Sequence, residues 1–358
     1  MKYNLTKNLA TAAAGVAMMS MAGFAQAQTK NYTLGSLAEG TTPFLVNTAF
    51  SNAVNKYVPG HRIQVSAVGP ATKHMLLVTQ RKMDFTMSAS TAYRLMFFEI
   101  GPFKKLKDGA KRVTKMNQLF SYPIGFYHPV VYADSGIKTF KDIKGKKVFM
   151  GPPAGVATRN VILIVGAMTD YKAGRDFEQV KLGWGPAQQA FQDKKFDVWI
   201  TTTMAPSPAI SQLAMTNKIR LLPLDPEKFN HPAWKKYNGQ PGRRATKIDP
   251  RVYGKNMVNE KPVLSTGAMV GMSVRSDMDE ELVYKMMKAF WEHIDEAHAL
   301  AKSMKGTLNF ENALTSMAGT IHPGAIRYYK EKGFKIPKTF TLTLAQRDAF
   351  RAKVKSKK

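Results

Sequence analysis

The chain has 358 residues, of which 44% are hydrophobic and 22% charged, which is enough for two globular units with a substantial buried core. It contains no cysteine, and this excludes thiolate metal sites, cysteine nucleophiles and lipid attachment through an N-terminal cysteine. The formal net charge is +28, but the basic residues are scattered over many short runs, which favours a solvated basic surface or a field that attracts anionic solutes over a nucleic-acid interface.

Residues 1–27 have the pattern of a secretory signal peptide. Lys2 and Lys7 give a positive start, an apolar stretch follows, and the small-x-small tripeptide AQA at 25–27 supplies a cleavage site. An uncleaved membrane anchor is less favoured, because the apolar stretch is marginal for a span and is interrupted by polar and small residues. We therefore expect a soluble mature protein in the periplasm, where it meets no nucleic acid.

The first part of the mature chain alternates strand-like and helix-like segments. In chain order these are a strand at 31–35, a helix at 43–57, a strand at 62–68, a helix at 72–80, a strand at 84–88 and a helix at 89–98. This βαβαβ succession predicts a parallel sheet covered by helices.

The same rhythm restarts after Val130. The segments are strands at 147–150, 179–182, 197–201 and 219–224, alternating with helices at 156–168, 186–192 and 207–215. Residues 226–262 are rich in proline, glycine, lysine and asparagine and indicate an irregular or partly helical excursion. A strand at 263–274 follows, and Ser276 with Asp279 forms a capping box that opens a long helix. Further helices are expected near 310–317, 323–332 and 344–353.

Two copies of one α/β rhythm predict two lobes. We expect crossovers near 129–133 and 263–272, so that residues 28–130 and 268–358 form the first lobe and residues 131–267 form the second. Two hinge strands and a cleft between lobes are typical of a clamshell that closes around a ligand.

Catalytic patterns are missing from the sequence. There is no HExxH, no P-loop, no GxSxG and no cysteine, and the seven histidines are scattered. An enzyme on the same fold needs a nucleophile or an acid–base pair in the cleft, and no such constellation emerges. The sequence therefore predicts no enzyme, no metal site and no cofactor.

Turns rich in glycine, serine and threonine stand between strands and helices in both predicted lobes. They lie at 40–43, 69–72, 88–91, 151–155 and 201–206. Helix N-termini present unpaired N–H groups and a partial positive charge, and in open α/β sheets such turns lie where ligands bind. Ordinary helix capping explains any single turn, but five turns shared by two lobes favour an anion-binding cleft.

Several stretches resemble the TAXI class of TRAP-transporter solute receptors. The most specific is HPGAIRYYKE at 322–331, and the others are YADSGI at 132–137, GKKV at 145–148, GPP at 151–153, MAPSPAI at 204–210 and IRLLPLD at 219–225. The resemblance spans residues 31–334. It implies a two-lobe type II periplasmic-binding fold and delivery of organic acids or amino acids to an ion-gradient-driven permease.

Departures from that class affect the ligand. The first turn is EGTTP at 39–43, where the class usually has GGTYY, so an aromatic pair is lost. Positive charge is gained at Lys73 and Arg159, where hydroxyl-rich turns are usual. We therefore expect an organic anion with one or two acidic groups rather than the amino acids of better-known members.

The candidate site follows from these turns. Backbone N–H groups at 41–42 and 155–158 are expected to hold a carboxylate, Lys73 or His74 to reach a second acidic group, and Tyr93 or Phe44 to pack on the carbon skeleton. The predicted ligand-binding residues are Thr41, Thr42, Phe44, Lys73, His74, Ser90, Tyr93, Gly155, Val156, Ala157, Thr158, Thr203 and Met204.

The expected partners are a small organic anion and the membrane subunits of a TRAP transporter, with the protein itself a monomer. The alternative is a basic envelope protein that holds an anionic surface polymer. Affinity that collapses with salt and ignores small acids would identify that alternative.

Overall fold

The fold is described from a computed structural model. It describes residues 29–336 except Ala154, Pro241 and Ala318, together with Ala345, Asp348, Ala349 and Ala352. The signal peptide predicted at 1–27 lies outside the described residues, and so does most of the helix predicted at 344–353.

The described chain contains ten strands and eleven α-helices, connected in places by short 3-10 turns. The strands are β1 (Lys30–Gly35), β2 (His61–Ser66), β3 (Phe85–Ser88), β4 (Met116–Tyr132), β5 (Lys147–Phe149), β6 (Glu178–Gln179), β7 (Val198–Thr203), β8 (Ile219–Leu221), β9 (Arg243–Ile248) and β10 (Val263–Arg275). The helices are α1 (Thr42–Tyr57), α2 (Ala71–Thr79), α3 (Ser90–Phe98), α4 (Gly109–Val113), α5 (Val156–Thr169), α6 (Trp184–Gln192), α7 (Pro208–Thr216), α8 (Pro232–Asn238), α9 (Glu280–Glu292), α10 (Ile294–Leu300) and α11 (Pro323–Glu331).

The strands form one sheet with two α/β halves, which we call lobe 1 and lobe 2. The order is β2-β1-β3-β10-β4-β7-β5-β6, with β8 beside β4 and β9 beside β10. Lobe 1 is built on the parallel strands β2, β1 and β3, and lobe 2 on the parallel strands β7, β5 and β6. This two-lobe α/β architecture is the predicted fold class.

The two long strands β4 and β10 join the lobes. β10 pairs with β9 of lobe 2 over residues 263–268 and with β3 of lobe 1 over residues 271–274. β4 pairs with β10 up to Phe126 and with β7 from Phe126 to Val130. Gly125 lies at this crossing with a φ of +116°, and an added Cβ there would collide with the backbone of Thr203. The residue limits given above for the lobes stay a prediction.

The elements predicted between residues 31 and 98 agree with the structure to within two residues at each end. Later segments differ more. β4 and the six-residue strand β9 were not predicted, β6 and β8 are shorter than expected, and 310–317 contains only a 3-10 turn at Phe310–Asn312. The sequence of β4 does not look like a strand because it contains Pro123, Gly125 and Pro129, and these residue types usually mark turns.

The predicted capping box at Ser276 is wrong in detail. Asp279 itself is the N-cap of α9, and its side chain accepts a hydrogen bond from the backbone N–H of Leu282 at 2.8 Å. The expected long helix also ends early, at Glu292. His293 then caps the next helix and stacks on Tyr57 with ring centroids 3.6 Å apart.

Lobe 1 has an aromatic core around Phe50, whose ring lies 5.8 Å from Phe85, 6.0 Å from Phe120 and 5.4 Å from Phe290. The segment 322–331 closes this core. His322 accepts a hydrogen bond from the N–H of Gly324 at its own helix start, and the buried hydroxyl of Tyr329 donates to the carbonyl of Leu119 at 3.1 Å. This stretch is therefore part of the packing of lobe 1.

No helix in the described part of the chain has the length and apolar character needed to cross a membrane.

Candidate functional site

A cleft lies between the two lobes, where β4 and β10 pass from one to the other. It encloses about 900 Å³ of empty space, a figure that includes open solvent at its mouth. Its larger apolar lining residues are Leu37, Met87, Ile124, Trp184, Met269 and Val270, and its polar ones are Thr41, Thr72, Thr91, Asn160, Thr202 and Arg243. Both lobes thus contribute to a concave, largely apolar site with a few polar groups, as small-molecule sites usually have.

Several helices begin in the wall of this cleft. The first turns of α2, α3, α5 and α6 contribute lining residues, among them Thr72, Thr91, Ala157 and Trp184. None of these four helices has a side-chain hydrogen bond at its N-cap or an acidic residue in its first turn. The starts of these four helices, where the partial positive charge of the helix dipole lies, therefore border the cleft without a side-chain anion.

Arg243, the first residue of β9, carries the only charge among the described lining residues. Its Nη2 donates to the Thr91 hydroxyl at 3.2 Å and to the Gln240 side-chain oxygen at 2.7 Å, and its guanidinium lies 4.8 Å from the Tyr237 ring centre. Its buried Nε has no hydrogen-bond partner, and no ion pair within the described chain includes it. A full positive charge thus faces the cleft with neutral partners only.

Tyr127 lies in the floor of the cleft, beside Asn160 and Thr202. Burial raises the pKa of its hydroxyl, and the nearby positive charge of Arg243 opposes that rise. The hydroxyl is therefore neutral at physiological pH and adds polarity to the floor without adding charge.

Four of the predicted site residues line the cleft: Thr41, Gly155, Val156 and Ala157. Three others, Thr42, Thr158 and Met204, lie beside the cleft without being part of its lining. The Thr42 hydroxyl accepts a hydrogen bond from the N–H of Met204 at 3.2 Å, which joins lobe 1 to lobe 2. The Thr158 hydroxyl donates to the carbonyl of Pro152 at 2.6 Å and steadies the turn before α5.

The remaining predicted residues lie elsewhere. Lys73 is exposed, because α2 presents Thr72 to the cleft instead. His74 is buried within lobe 1 with Nε2 2.7 Å from the carbonyl of Val68, and burial lowers its pKa.

Ser90 and Tyr93 direct their hydroxyls into lobe 1. Ser90 donates to the carbonyl of Ser316 at 2.7 Å, and Tyr93 donates to the carbonyl of Met116 at 2.9 Å. Phe44 and Thr203 also lie outside the cleft lining. Contacts of all these residues with a ligand stay predictions.

Sequence reasoning missed Arg243, which was treated as part of a scattered basic surface. The strand it opens reads RRATKI and has no apolar alternation, so no periodic signal separates it from the irregular excursion around it. Asn160 and Trp184 were missed as well, because each is an isolated residue near a helix start. Pairing of β9 with β10 is what brings Arg243 to the cleft.

Within the described part of the chain, no group of three or more histidine, aspartate or glutamate residues is arranged to hold a metal ion.

Residues 34–333 match the NMT1-like family. The chain belongs to the NMT1-like family. The cleft between its lobes is the candidate ligand site.

This NMT1-like protein is also similar to solved structures of binding proteins. The periplasmic aliphatic sulphonate-binding protein SsuA from Escherichia coli is 14% identical, with 91% of each chain covered and a TM-score of 0.43. The periplasmic ectoine-binding protein of the TeaABC TRAP transporter from Halomonas elongata is 15% identical, with 91% of each chain covered and a TM-score of 0.41. A TRAP periplasmic solute-binding protein from Shewanella oneidensis with bound succinate is 11% identical, with coverage of 91% of this chain and 92% of that one and a TM-score of 0.43. Such low similarity identifies neither a ligand nor a transporter.

Proposed function

We propose that this protein captures a small organic anion, a carboxylate or dicarboxylate, in the cleft and delivers it to the membrane subunits of a TRAP-type transporter, as a receptor of the TAXI class. The observation that carries this proposal is the convergence of Arg243 and four helix N-termini without side-chain caps on one cleft. No acidic residue is among the described lining residues. Such a site attracts an anion and leaves a cation unpaired.

Arg243 is the side chain best suited to hold the acidic group. Its planar guanidinium pairs with a carboxylate through two parallel hydrogen bonds, which are stronger than the bonds it now makes to the neutral oxygens of Thr91 and Gln240. A helix N-terminus adds N–H donors without any side-chain rearrangement. Because Thr91 lies in the first turn of α3 of lobe 1 and Arg243 belongs to lobe 2, a ligand bound between them favours the closed arrangement of the lobes.

Binding is tested by a thermal-shift screen of the mature protein, residues 28–358, against monocarboxylates, dicarboxylates, amino acids and aromatic acids. A ligand at 100 times its dissociation constant stabilises the folded state by about 2.7 kcal/mol, which raises the melting temperature measurably. A panel in which no acid raises the melting temperature would overturn the proposal.

The net charge of +28 favours one second candidate, adhesion to an anionic envelope polymer. Polyglutamate, titrated at low and high salt, separates the two functions. Binding to polyglutamate that disappears at about 0.5 M salt, together with no response to small acids, identifies the adhesion function. A small acid held in the cleft is less sensitive to salt, because partly buried charges are screened less than exposed ones.

Delivery to an ion-driven transporter needs a cellular measurement. Uptake of the radiolabelled acid found in the screen should require this protein and should stop when an ionophore dissipates the ion gradients. Uptake that persists with the ionophore but stops on ATP depletion would contradict the TRAP partner while leaving anion capture intact.

A further inference from the structure

We infer that the solute carries a single anionic group on an apolar body, rather than two acidic groups on a short chain. This inference rests on the proposed function and narrows its substrate class. The cleft combines one cation with an otherwise uncharged, largely apolar lining, and such a combination matches an amphipathic organic monoanion.

One full charge is available for pairing. Among the described lining residues only Arg243 is charged, since Lys73 is exposed outside the lining and burial keeps His74 neutral by lowering its pKa. A second carboxylate in the closed cleft would lose its hydration and find helix ends and hydroxyls instead of a cation. A partial charge at a helix end compensates this loss less well than an ion pair does.

The site for the single carboxylate is defined by Arg243 and the start of α3. The hydrogen bond from Arg243 to Thr91 places the guanidinium against the first turn of that helix, so the full charge and the partial charge lie side by side. The only full charge among the described lining residues therefore lies beside one of the four helix starts, and the remainder of the described lining has no charged side chain.

Large apolar side chains make up that remainder. Trp184 is held in place by an edge-on contact with Phe149, with ring centroids 5.5 Å apart and planes at 80°. Met87 and Met269 line the same cleft, and their unbranched side chains adapt to ligands of irregular shape. A dicarboxylate of four carbon atoms has too little apolar surface to cover these side chains, whereas an aromatic or longer aliphatic acid covers them.

Isothermal titration of the mature protein with matched acids tests the inference. The sets are butanoate with succinate, hexanoate with adipate and hexanamide, and benzoate with terephthalate and benzamide. We expect each monocarboxylate to bind at least about tenfold more tightly than the dicarboxylate of the same skeleton, and the amides not to bind. From butanoate to hexanoate the dissociation constant should fall about three- to fourfold per methylene, the change that corresponds to about 0.8 kcal/mol per buried CH₂.

A Trp184 series adds an independent readout. Trp184→Ala should weaken benzoate binding more than butanoate binding, by about tenfold, and Trp184→Phe should restore most of the loss. Dicarboxylates that bind as tightly as, or more tightly than, their monocarboxylate partners would overturn the inference and leave the proposed function standing. Failure of every acid to bind would instead remove the proposed function itself.

Discussion

The two walls of the cleft differ in charge. Lobe 1 contributes the starts of α2 and α3 together with Leu37 and Met87, and none of its described lining residues is charged. Lobe 2 contributes Arg243 along with Asn160 and Trp184. Under the proposed function, charge recognition therefore belongs mainly to lobe 2, and lobe 1 provides a neutral surface bordered by helix starts.

The contacts that the described residues make between the walls include no ion pair. They include the hydrogen bonds from Met204 to Thr42, from Thr91 to Gln240 and from Arg243 to Thr91, each 3.2 Å long. Hydrogen bonds of this kind each contribute about 0.5–1.5 kcal/mol.

The largest expected effect concerns acid stability, and it is centred on His128, in the part of β4 that pairs with β7 of lobe 2. Buried His128 has Nδ1 2.8 Å from the carbonyl of Phe126 and Nε2 2.9 Å from the Tyr253 hydroxyl. Burial lowers its pKa from 6.5 to about 4. Between these two values the unfolded chain binds more protons than the folded one, so stability falls as the pH falls from about 6.5 to 4, by about 3 kcal/mol for this group.

Urea unfolding at pH 7 and pH 4, for the wild type and for His128→Gln, measures this contribution. The variant keeps a neutral amide at both pH values, so its stability should fall about 3 kcal/mol less than that of the wild type. Equal pH dependence in the two proteins would contradict the assignment to His128.

The second prediction concerns removal of the charge that distinguishes the lobe 2 wall from the lobe 1 wall. Arg243→Gln removes the only described charge of the cleft lining and should weaken binding of a small acid by about 10- to 100-fold, since hydrogen bonds to charged groups contribute about 1.5–3 kcal/mol. Arg244→Gln is the matched control, because Arg244 is the next residue of the same strand and is exposed outside the lining. Titration calorimetry of both variants with the same acid measures the two affinities. An equal loss of affinity in both would indicate that the overall positive charge of the protein, and not Arg243 in particular, attracts the anion.

A smaller effect tests the neutral wall. Ala71→Asp introduces an acid into the first turn of α2 at the cleft, where it stabilises the helix but repels a bound anion. We expect about tenfold weaker binding with an unchanged or slightly raised melting temperature. Ala71→Asn has nearly the same shape without the charge and should bind as the wild type does. Similar binding by both variants would show that the start of α2 does not face the anion.

The smallest effect tests the contact between the walls. Thr91→Val removes the hydroxyl that accepts from Arg243 and donates to Gln240, while keeping a similar volume. The change should alter affinity by no more than about tenfold, the equivalent of about 0.5–1.5 kcal/mol. Small-angle scattering of the ligand-free variant should show a more open molecule. A loss as large as that of Arg243→Gln would indicate that Thr91 contacts the solute directly.

Prediction from the sequence was most accurate where the hydrophobic pattern of a segment agrees with the secondary structure that the segment adopts. The alternation between residues 31 and 98 located its strands and helices closely, because each parallel strand and covering helix has its own periodicity. It failed at β4 and β9. β4 contains Pro123 and Pro129 yet is held as a strand by β10 and β7, and β9 is polar yet is held by β10.

The candidate site divides in the same way. Turns before helices identified Thr41 and the start of α5 as parts of the cleft, because helix starts at strand ends follow from the order of elements alone. Lys73 and His74 were predicted as ligand-binding residues because their side chains can carry a positive charge. Whether they reach the cleft depends on the rotation of α2 about its axis. That rotation is decided by packing, which turns Thr72 to the cleft, His74 to the interior and Lys73 to solvent.

The sequence by itself determined the class of the fold, the alternation of its elements, the basic charge and the turns that open the helices of the cleft. Only the tertiary structure decided which basic residue of the described chain lines the cleft. Residues distant in sequence, Thr91 on α3 and Arg243 on β9, meet because β10 pairs with β3 at one end and with β9 at the other. The position of a charged side chain in the cleft depends on such long-range strand pairing. Local hydrophobic periodicity in the sequence does not show it.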